Sequence, residues 1–200
     1  MLDAAGQHAG FDVARMNSYE VRGLRVSSSA VREALAAGDM ARAAALLGRP
    51  YSISGHVVHG KKLGRSLGAS APGRDDGFRT LNLRFSHPKP AALGIYAVRV
   101  FGLTENPLDG VASLGKRPTV DDSGRVLLET YCLDWPASLG VEGGYGKLVR
   151  VELLHKLRDE ARYDGLPALT AAIEKDVIDA RAFLAAHAAI HRQTSRDRII

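Results

Sequence analysis

A glycine-rich stretch, residues 55–83, combines the residue types that handle polyphosphate. It reads GHVVHGKKLGRSLGASAPGRDDGFRTLNL. Glycine lets backbone amides approach an anion because no side chain obstructs them, and the interspersed lysines and arginines supply positive charge. Thr80 and Asn82 at its end carry oxygens that can reach a magnesium ion. The stretch therefore indicates a phosphate-handling loop leading into a strand. A solvated surface loop is the alternative, since the Walker pattern is absent.

Glu129 is the candidate for acid–base chemistry. It lies in the strand-like run VLLETYCLD, where alternation places it on one face with Leu127 and Tyr131. A carboxylate among apolar neighbours has its charged form disfavoured and becomes a better proton acceptor near neutral pH. The alternative is an ion pair with an arginine of a neighbouring strand, such as Arg99 or Arg150.

Histidines and the single cysteine do not indicate a metal site or a nucleophile. His56 and His59 are three residues apart in a strand-like run, which puts them on opposite faces. With His155 far along the chain and one cysteine, a zinc site is not expected. Cys132 has no basic neighbour in sequence, so we expect it in the core.

From Ser52 onward, the chain reads as strands that must position these residues. Apolar residues recur with a period near two between turn signals, and no helical segment intervenes. Such a pattern predicts an antiparallel sheet closed as a small barrel. The predicted strands are ISGHVVHG, LGIYAVRVFGL, GVASLG, RVLLETYCLDW and GKLVRVELLHKL.

Helices are expected before and after the barrel strands in the sequence. Apolar residues at intervals of three or four predict an amphipathic helix of about residues 166–187, followed by a short, basic, frayed tail, 188–200. Before the barrel, alanine-rich segments predict two short helices, about 29–37 and 40–47, with Ser27 or Ser28 as a cap. Residues 1–25 are mixed, and FDVARM and YEVRGLRV within them are each a possible short strand.

Composition narrows the class of protein. The 200 residues are 46% apolar and 24% charged, enough for one ordinary globular core, and the net charge of +5 suits an anionic ligand or nucleic acid equally. One cysteine excludes an internal disulfide framework and fits a reducing compartment. No apolar run approaches ~18 residues, and the N-terminus lacks the pattern of a signal peptide. We therefore expect a cytoplasmic protein without a membrane span.

The order of motifs resembles a known family. GHVVHGKKLGRSLG, FRTLNL, LGIYAVRV, ASLGKRPTV, LLETYCLDW, YGKLVRVELLHKLRDEARYDGLPAL and IEKDVIDAR are similar to the riboflavin kinase module of bacterial bifunctional riboflavin kinase/FAD synthetases, over residues 52 to about 185. The resemblance implies a mainly β, α+β fold: a six-stranded antiparallel barrel with a long C-terminal helix, preceded by a short helical segment. It also implies transfer of the γ-phosphate of ATP to the 5′-hydroxyl of riboflavin with magnesium, giving FMN and ADP.

The resemblance also implies roles for individual residues. Thr80 and Asn82 would bind magnesium and phosphate. Glu129 would be the general base, and Asp134 would complete its motif. Arg158 would lie in the flap over the flavin. The ATP phosphates would be covered by residues of the glycine-rich stretch: Gly55, Gly60, Lys61, Gly64 and Arg65.

The first 50 residues resemble a different module of the same enzymes. VSSSAVREAL is similar to the element that closes the nucleotidylyltransferase (FAD synthetase) module, where Ser28, Ser29 and Arg32 would meet the ATP triphosphate at a helix N-terminus. That module also needs a His-x-Gly-His motif, which the sequence lacks, so FAD synthetase activity is not expected. We divide the chain into a remnant of that module (1–50), a riboflavin kinase domain (51–187) and the tail (188–200).

Two alternatives to kinase activity follow from the sequence. Residues 69–77 are inserted relative to the family pattern, and Arg79 stands where the pattern has proline. A non-catalytic remnant that binds flavin or nucleotide is therefore one alternative. A basic barrel that binds nucleic acid is the other. Aromatic residues make up only 6% of the chain, and Tyr96, Tyr131 and Tyr145 are not interleaved with basic residues on one strand face. We therefore do not expect nucleic acid as a partner, and the resemblance implies riboflavin and ATP as small-molecule substrates.

Overall fold

The computed structural model describes residues 2–14, 19–21, 23–59, 80–85, 90–116, 126–140 and 142–196, with side chains as far as residue 190. Within these ranges the helices are α1 (Leu2–Ala9), α2 (Ser28–Ala37), α3 (Met40–Leu47) and α4 (Leu166–Arg196). The strands are β1 (Glu20–Val21), β2 (Leu24–Arg25), β3 (Tyr51–Val58), β4 (Thr80–Arg84), β5 (Gly94–Phe101), β6 (Leu108–Lys116), β7 (Val126–Cys132) and β8 (Leu148–Arg158).

Six strands form a closed antiparallel barrel in the order β3-β4-β7-β6-β5-β8, which confirms the predicted fold class. Side chains alternate between the two faces of each strand. In β7, Leu128, Thr130 and Cys132 point into the barrel and are buried, whereas Glu129 and Tyr131 lie on the outer face and are half-buried. The outer face is therefore the surface on which the candidate base is displayed.

Helix α4 packs against this outer face. Its Val177, Ala180 and Leu184 bury themselves against Ile95 and Ala97 of β5, in a second apolar cluster outside the barrel. The helix was predicted to end near residue 187 with a frayed tail, but it continues to Arg196. The reason is that residues 188–196 contain no glycine or proline to end the helix.

The short helices before the barrel follow their capping signals. The Ser27 hydroxyl accepts a hydrogen bond from the Ala30 amide at 3.1 Å, and Gly38 ends α2 in the left-handed region (φ 75°). Gly48 ends α3 in the same way, as expected. Buried residues of both helices belong to the same hydrophobic cluster as the barrel interior: Ala34, Leu35, Met40 and Ala43. The core thus continues across the junction near residue 50.

The first residues differ from the prediction. FDVARM was a possible strand, but residues 11–14 form no regular structure, and helix α1 precedes them. YEVRGLRV forms the small antiparallel hairpin of β1 and β2, whose pairing joins Glu20 to Arg25 and Val21 to Leu24. Among the described residues of this region, the strands thus lie in the second segment alone.

Gly55 is required by the packing of β3 against β4. A Cβ atom at this buried position would overlap the carbonyl oxygen of Arg84. We therefore expect Gly55→Ala to lower the free energy of unfolding by about 1–3 kcal/mol. Urea denaturation measures the loss, and Ser54→Ala, an exposed neighbour on the same strand, is the control. Equal stability of the two variants would contradict this role.

Candidate active site

Three strands place the candidate catalytic residues side by side on the outer face of the barrel. Asn82 of β4 pairs with Glu129 of β7, and Glu129 pairs in turn with Ser113 of β6. Directly opposed residues have Cβ atoms about 4.5–5.5 Å apart. The same row continues through Ile95 of β5 to Arg158 of β8. Residues that are distant in sequence are therefore aligned in one row across five strands, which we call the outer row.

Asn82 has the features of a cation ligand. Only 6% of the residue is exposed, and within the described residues its Oδ1 has no hydrogen-bond partner. Leaving such an oxygen unsatisfied costs about 1–3 kcal/mol. A carbonyl oxygen is the kind of ligand that magnesium prefers, and the hydroxyl of half-buried Thr80 lies two residues away on the same face of β4. The residues present thus fit a magnesium ion.

Glu129 lies on a strand that is paired on both sides, by β4 and by β6. The two arginines considered as its ion-pair partners have other partners. Arg99 donates from Nε to Asp109 Oδ1 at 3.0 Å, and Arg150 pairs with Glu152. Each of the two named arginines therefore has a carboxylate partner of its own, and Glu129 lies between Asn82 and Ser113 in the row.

Arg158 is held by a carboxylate that was not among the predicted site residues. Its Nε and Nη2 donate to the two carboxylate oxygens of Asp176 on α4, at 2.8 and 2.6 Å. Its Nη1 donates to the carbonyl oxygen of Asp159 at 3.1 Å. One signal could have found Asp176: it is an acid three residues after Ile173, on the stripe that was expected to pack against the barrel. The flavin contact predicted for Arg158 stays a prediction.

Four predicted site residues that the structure describes are not part of the outer row: Gly55, Ser28, Ser29 and Arg32. Gly55 is buried in β3, and the remaining glycine-rich candidates, Gly60, Lys61, Gly64 and Arg65, lie outside the described residues, as does the insertion 69–77. Ser28, Ser29 and Arg32 are exposed at the start of α2, where Ser27 provides the cap. The role predicted for these three residues stays a prediction.

The histidines lie in separate contacts rather than in one cluster. His56 Nδ1 is 3.1 Å from the Gly146 carbonyl oxygen, and the His59 ring stacks on Tyr145 with centroids 3.8 Å apart. His155 stacks on Phe183 at 4.5 Å, beside α4. In the described ranges, no group of three or more His, Cys, Asp or Glu side chains could hold a metal ion.

Cys132 points into the barrel, and burial raises the pKa of its thiol to about 12. Because the thiolate is the reactive form, we expect no reaction of the folded protein with a thiol reagent near neutral pH. In denaturant, one thiol should react per chain, since the sequence has one cysteine. Rapid modification of the folded protein would contradict the burial of this side chain.

The chain matches the model of a known protein family. A riboflavin kinase (Flavokinase) family model matches residues 47–184. The chain therefore belongs to the riboflavin kinase family, as its motifs indicated.

Individual relatives agree with this assignment. The chain is 42% identical over 183 residues to the bifunctional riboflavin kinase/FMN adenylyltransferase of Escherichia coli K12, covering 92% of this chain and 54% of that protein. It is 40% identical over 183 residues to the enzyme of the same name from Haemophilus influenzae, with the same coverage. The chain thus spans about half the length of the curated relatives it matches.

A solved structure shares the fold. The crystal structure of a macrolide-efflux protein from Streptococcus pneumoniae superposes with a TM-score of 0.66 at 26% identity, covering 90% of this chain and 54% of that one. The likeness concerns the arrangement of the chain. In the described part of this protein, every helix is too short or too polar to span a bilayer.

Proposed function

We propose that this chain transfers the γ-phosphoryl group of ATP to the 5′-hydroxyl of riboflavin, giving FMN and ADP. One observation carries the proposal beyond family membership: Asn82, whose buried Oδ1 has no hydrogen-bond partner among the described residues, is paired directly with Glu129 on the outer face of the barrel. Phosphoryl transfer requires positioning, neutralisation of charge and an acceptor for the hydroxyl proton. The outer row offers one candidate for neutralisation of charge, Asn82, and one candidate acceptor for the hydroxyl proton, Glu129.

Glu129 is the proposed general base. Its carboxylate accepts the proton of the riboflavin 5′-hydroxyl as the hydroxyl oxygen forms a bond to the γ-phosphorus of ATP. The bond between that phosphorus and the bridging oxygen breaks, and the electron pair leaves with ADP. This role is supported by the half-burial of Glu129 and by its pairing with Asn82 on β4 and Ser113 on β6.

Asn82 and Thr80 are the proposed magnesium ligands, through the amide oxygen and the hydroxyl. Bound there with the ATP phosphates, the ion supplies neutralisation of the charge on the phosphoryl group. The register supports this assignment because it places both oxygens on the face that carries Glu129. The protein itself supplies these two oxygens from β4, which is held in place by its pairing with β7.

The remaining substrate contacts follow the motif assignments. Gly55, Gly60, Lys61, Gly64 and Arg65 are proposed to cover the ATP phosphates, with Gly55 also serving the packing of β3 on β4. Arg158 is proposed on the flavin side, at the opposite end of the outer row from Asn82. The proposal concerns the kinase reaction, because the chain covers only 54% of relatives whose names include a second activity.

Incubation with riboflavin, ATP and magnesium, followed by chromatography of the flavins, tests this function. We expect FMN to accumulate only when all three components are present. Riboflavin that binds, as judged by quenching of its fluorescence, without FMN being formed would indicate the non-catalytic remnant instead. Deletion of residues 69–77 then shows whether the insertion is responsible, because a return of FMN formation would identify it as the cause.

A further inference from the structure

The guanidinium of Arg158 joins the end of β8 to helix α4 through a buried carboxylate. Both carboxylate oxygens of Asp176 accept from it, at 2.8 and 2.6 Å, in the two-point geometry typical of strong Arg–Asp pairs. Asp176 is only 4% exposed. A buried carboxylate is tolerated only when it is paired and hydrogen-bonded. The hydrogen bond with Asp176 in turn raises the pKa of Arg158, so the guanidinium remains charged.

The same guanidinium also contacts both ends of the loop that follows β8, residues 159–165. Its Nη1 donates to the Asp159 carbonyl oxygen at 3.1 Å, at the start of the loop. Its central carbon lies 5.7 Å from the centre of the Tyr163 ring, near the loop's end. One side chain therefore links α4, β8 and the loop.

The loop itself lies against the outer face of the barrel. A Cβ atom at Gly115 of β6 would overlap the carboxylate of Glu160, so this side chain of the loop lies directly over that glycine. Gly115 is two residues from Ser113 and therefore on the same face, beside the outer row. The loop held by Arg158 is thus adjacent to the strand position that pairs with Glu129.

We propose that Asp176 is a positioning residue for the flavin side of the active site. It touches no reacting atom. By fixing Arg158, it holds loop 159–165 against the outer face, where the loop and the first half of α4 form one wall beside Glu129. The inference rests on the proposed kinase function, because it assigns this wall to riboflavin rather than to ATP.

A second ion pair between α4 and the barrel provides a matched control. Arg181 donates from Nη2 to Asp134 Oδ1 at 2.8 Å and to the Leu133 carbonyl oxygen at 3.1 Å. The two side chains of this pair are largely exposed, at 49% for Arg181 and 76% for Asp134. Loss of this pair also loosens α4, but at the end of β7 away from loop 159–165. Loss of this pair therefore distinguishes the effect of weaker helix docking in general from a local effect on the wall formed by loop 159–165 and the first half of α4.

The test compares Asp176→Asn and Arg158→Lys with Arg181→Gln in riboflavin binding without ATP and in steady-state kinetics. For Asp176→Asn we expect kcat/KM for riboflavin to fall about ten- to a hundredfold, with the KM for ATP close to wild type. Arg158→Lys keeps the charge but not the two-point geometry, so its loss should be smaller. Arg181→Gln should behave as wild type in both assays.

Equal losses in Asp176→Asn and Arg181→Gln, or equal rises in the KM for both substrates, would show that Asp176 only anchors the helix. Wild-type riboflavin affinity in Asp176→Asn would overturn the inference outright. Circular dichroism and thermal melts check that each variant folds. If Asp176→Asn does not fold, the inference is tested by the riboflavin affinity and kinetics of Arg158→Lys. A wild type that binds riboflavin but makes no FMN would end the proposed function, while the binding titrations would still test the wall.

Discussion

Glu129→Gln is expected to lower kcat for FMN formation by about 10²–10⁴-fold, because the amide cannot accept the proton of the riboflavin hydroxyl. The change is nearly isosteric and the side chain is only half-buried on the outer face, so the fold and the binding of both substrates should be retained. Rates from a coupled ADP assay, together with riboflavin titration and a thermal melt, measure the three quantities separately.

Glu152→Gln is the matched control for this prediction. Glu152 also lies on the outer face of a barrel strand, β8, but it pairs with Arg150 and is not in the outer row. We expect it to keep kcat close to that of wild type. If the Glu129 and Glu152 variants lost activity equally, or if Glu129→Gln kept full activity, Glu129 would not be the base.

Asn82→Leu is expected to abolish most activity without lowering stability. The substitution keeps the shape of the side chain while removing the buried Oδ1, which has no partner among the described residues. We expect kcat to fall about a hundredfold and the magnesium concentration for half-maximal rate to rise tenfold or more. The free energy of unfolding should be unchanged or higher, because an unsatisfied buried oxygen costs about 1–3 kcal/mol.

Thr130→Val separates the effect on stability of removing a buried side-chain oxygen from the effect on activity. Thr130 is fully buried inside the barrel, and its Oγ1 likewise has no hydrogen-bond partner among the described residues. Its removal should leave the free energy of unfolding unchanged or higher, as in the Asn82 variant, while FMN formation stays at the wild-type rate. Asn82→Leu that lost stability and activity together, with an unaltered magnesium dependence, would identify Asn82 as a structural residue instead.

The barrel was predictable because each strand carries its own signal. Alternation in VLLETYCLD separates Leu128, Thr130 and Cys132 from Glu129, and the structure has the same division. What alternation cannot provide is the order of strands. Asn82 and Glu129 become neighbours only because β4 pairs with β7, which is three strands later in the chain. That pairing depends on closure of the barrel, to which all six strands contribute.

The parts of the site that were missed depend on contacts between elements. Asp176 was not among the predicted site residues, because its pairing with Arg158 follows from the docking of α4 on β5 and β8. Gly55 was read as a phosphate-loop residue because glycine is common there. The approach of β4 accounts for it independently, and only the three-dimensional distance to Arg84 reveals this.

Transfer of the γ-phosphate to riboflavin is the central claim, and a labelling experiment tests it most directly. The protein is incubated with magnesium, riboflavin and ATP that carries a radiolabel in its γ-phosphate, and the flavins are separated. We predict that the label appears in FMN in step with ADP formation, and that Glu129→Gln suppresses both. Label that appears only as inorganic phosphate, or remains in ATP while riboflavin is bound, would contradict the account.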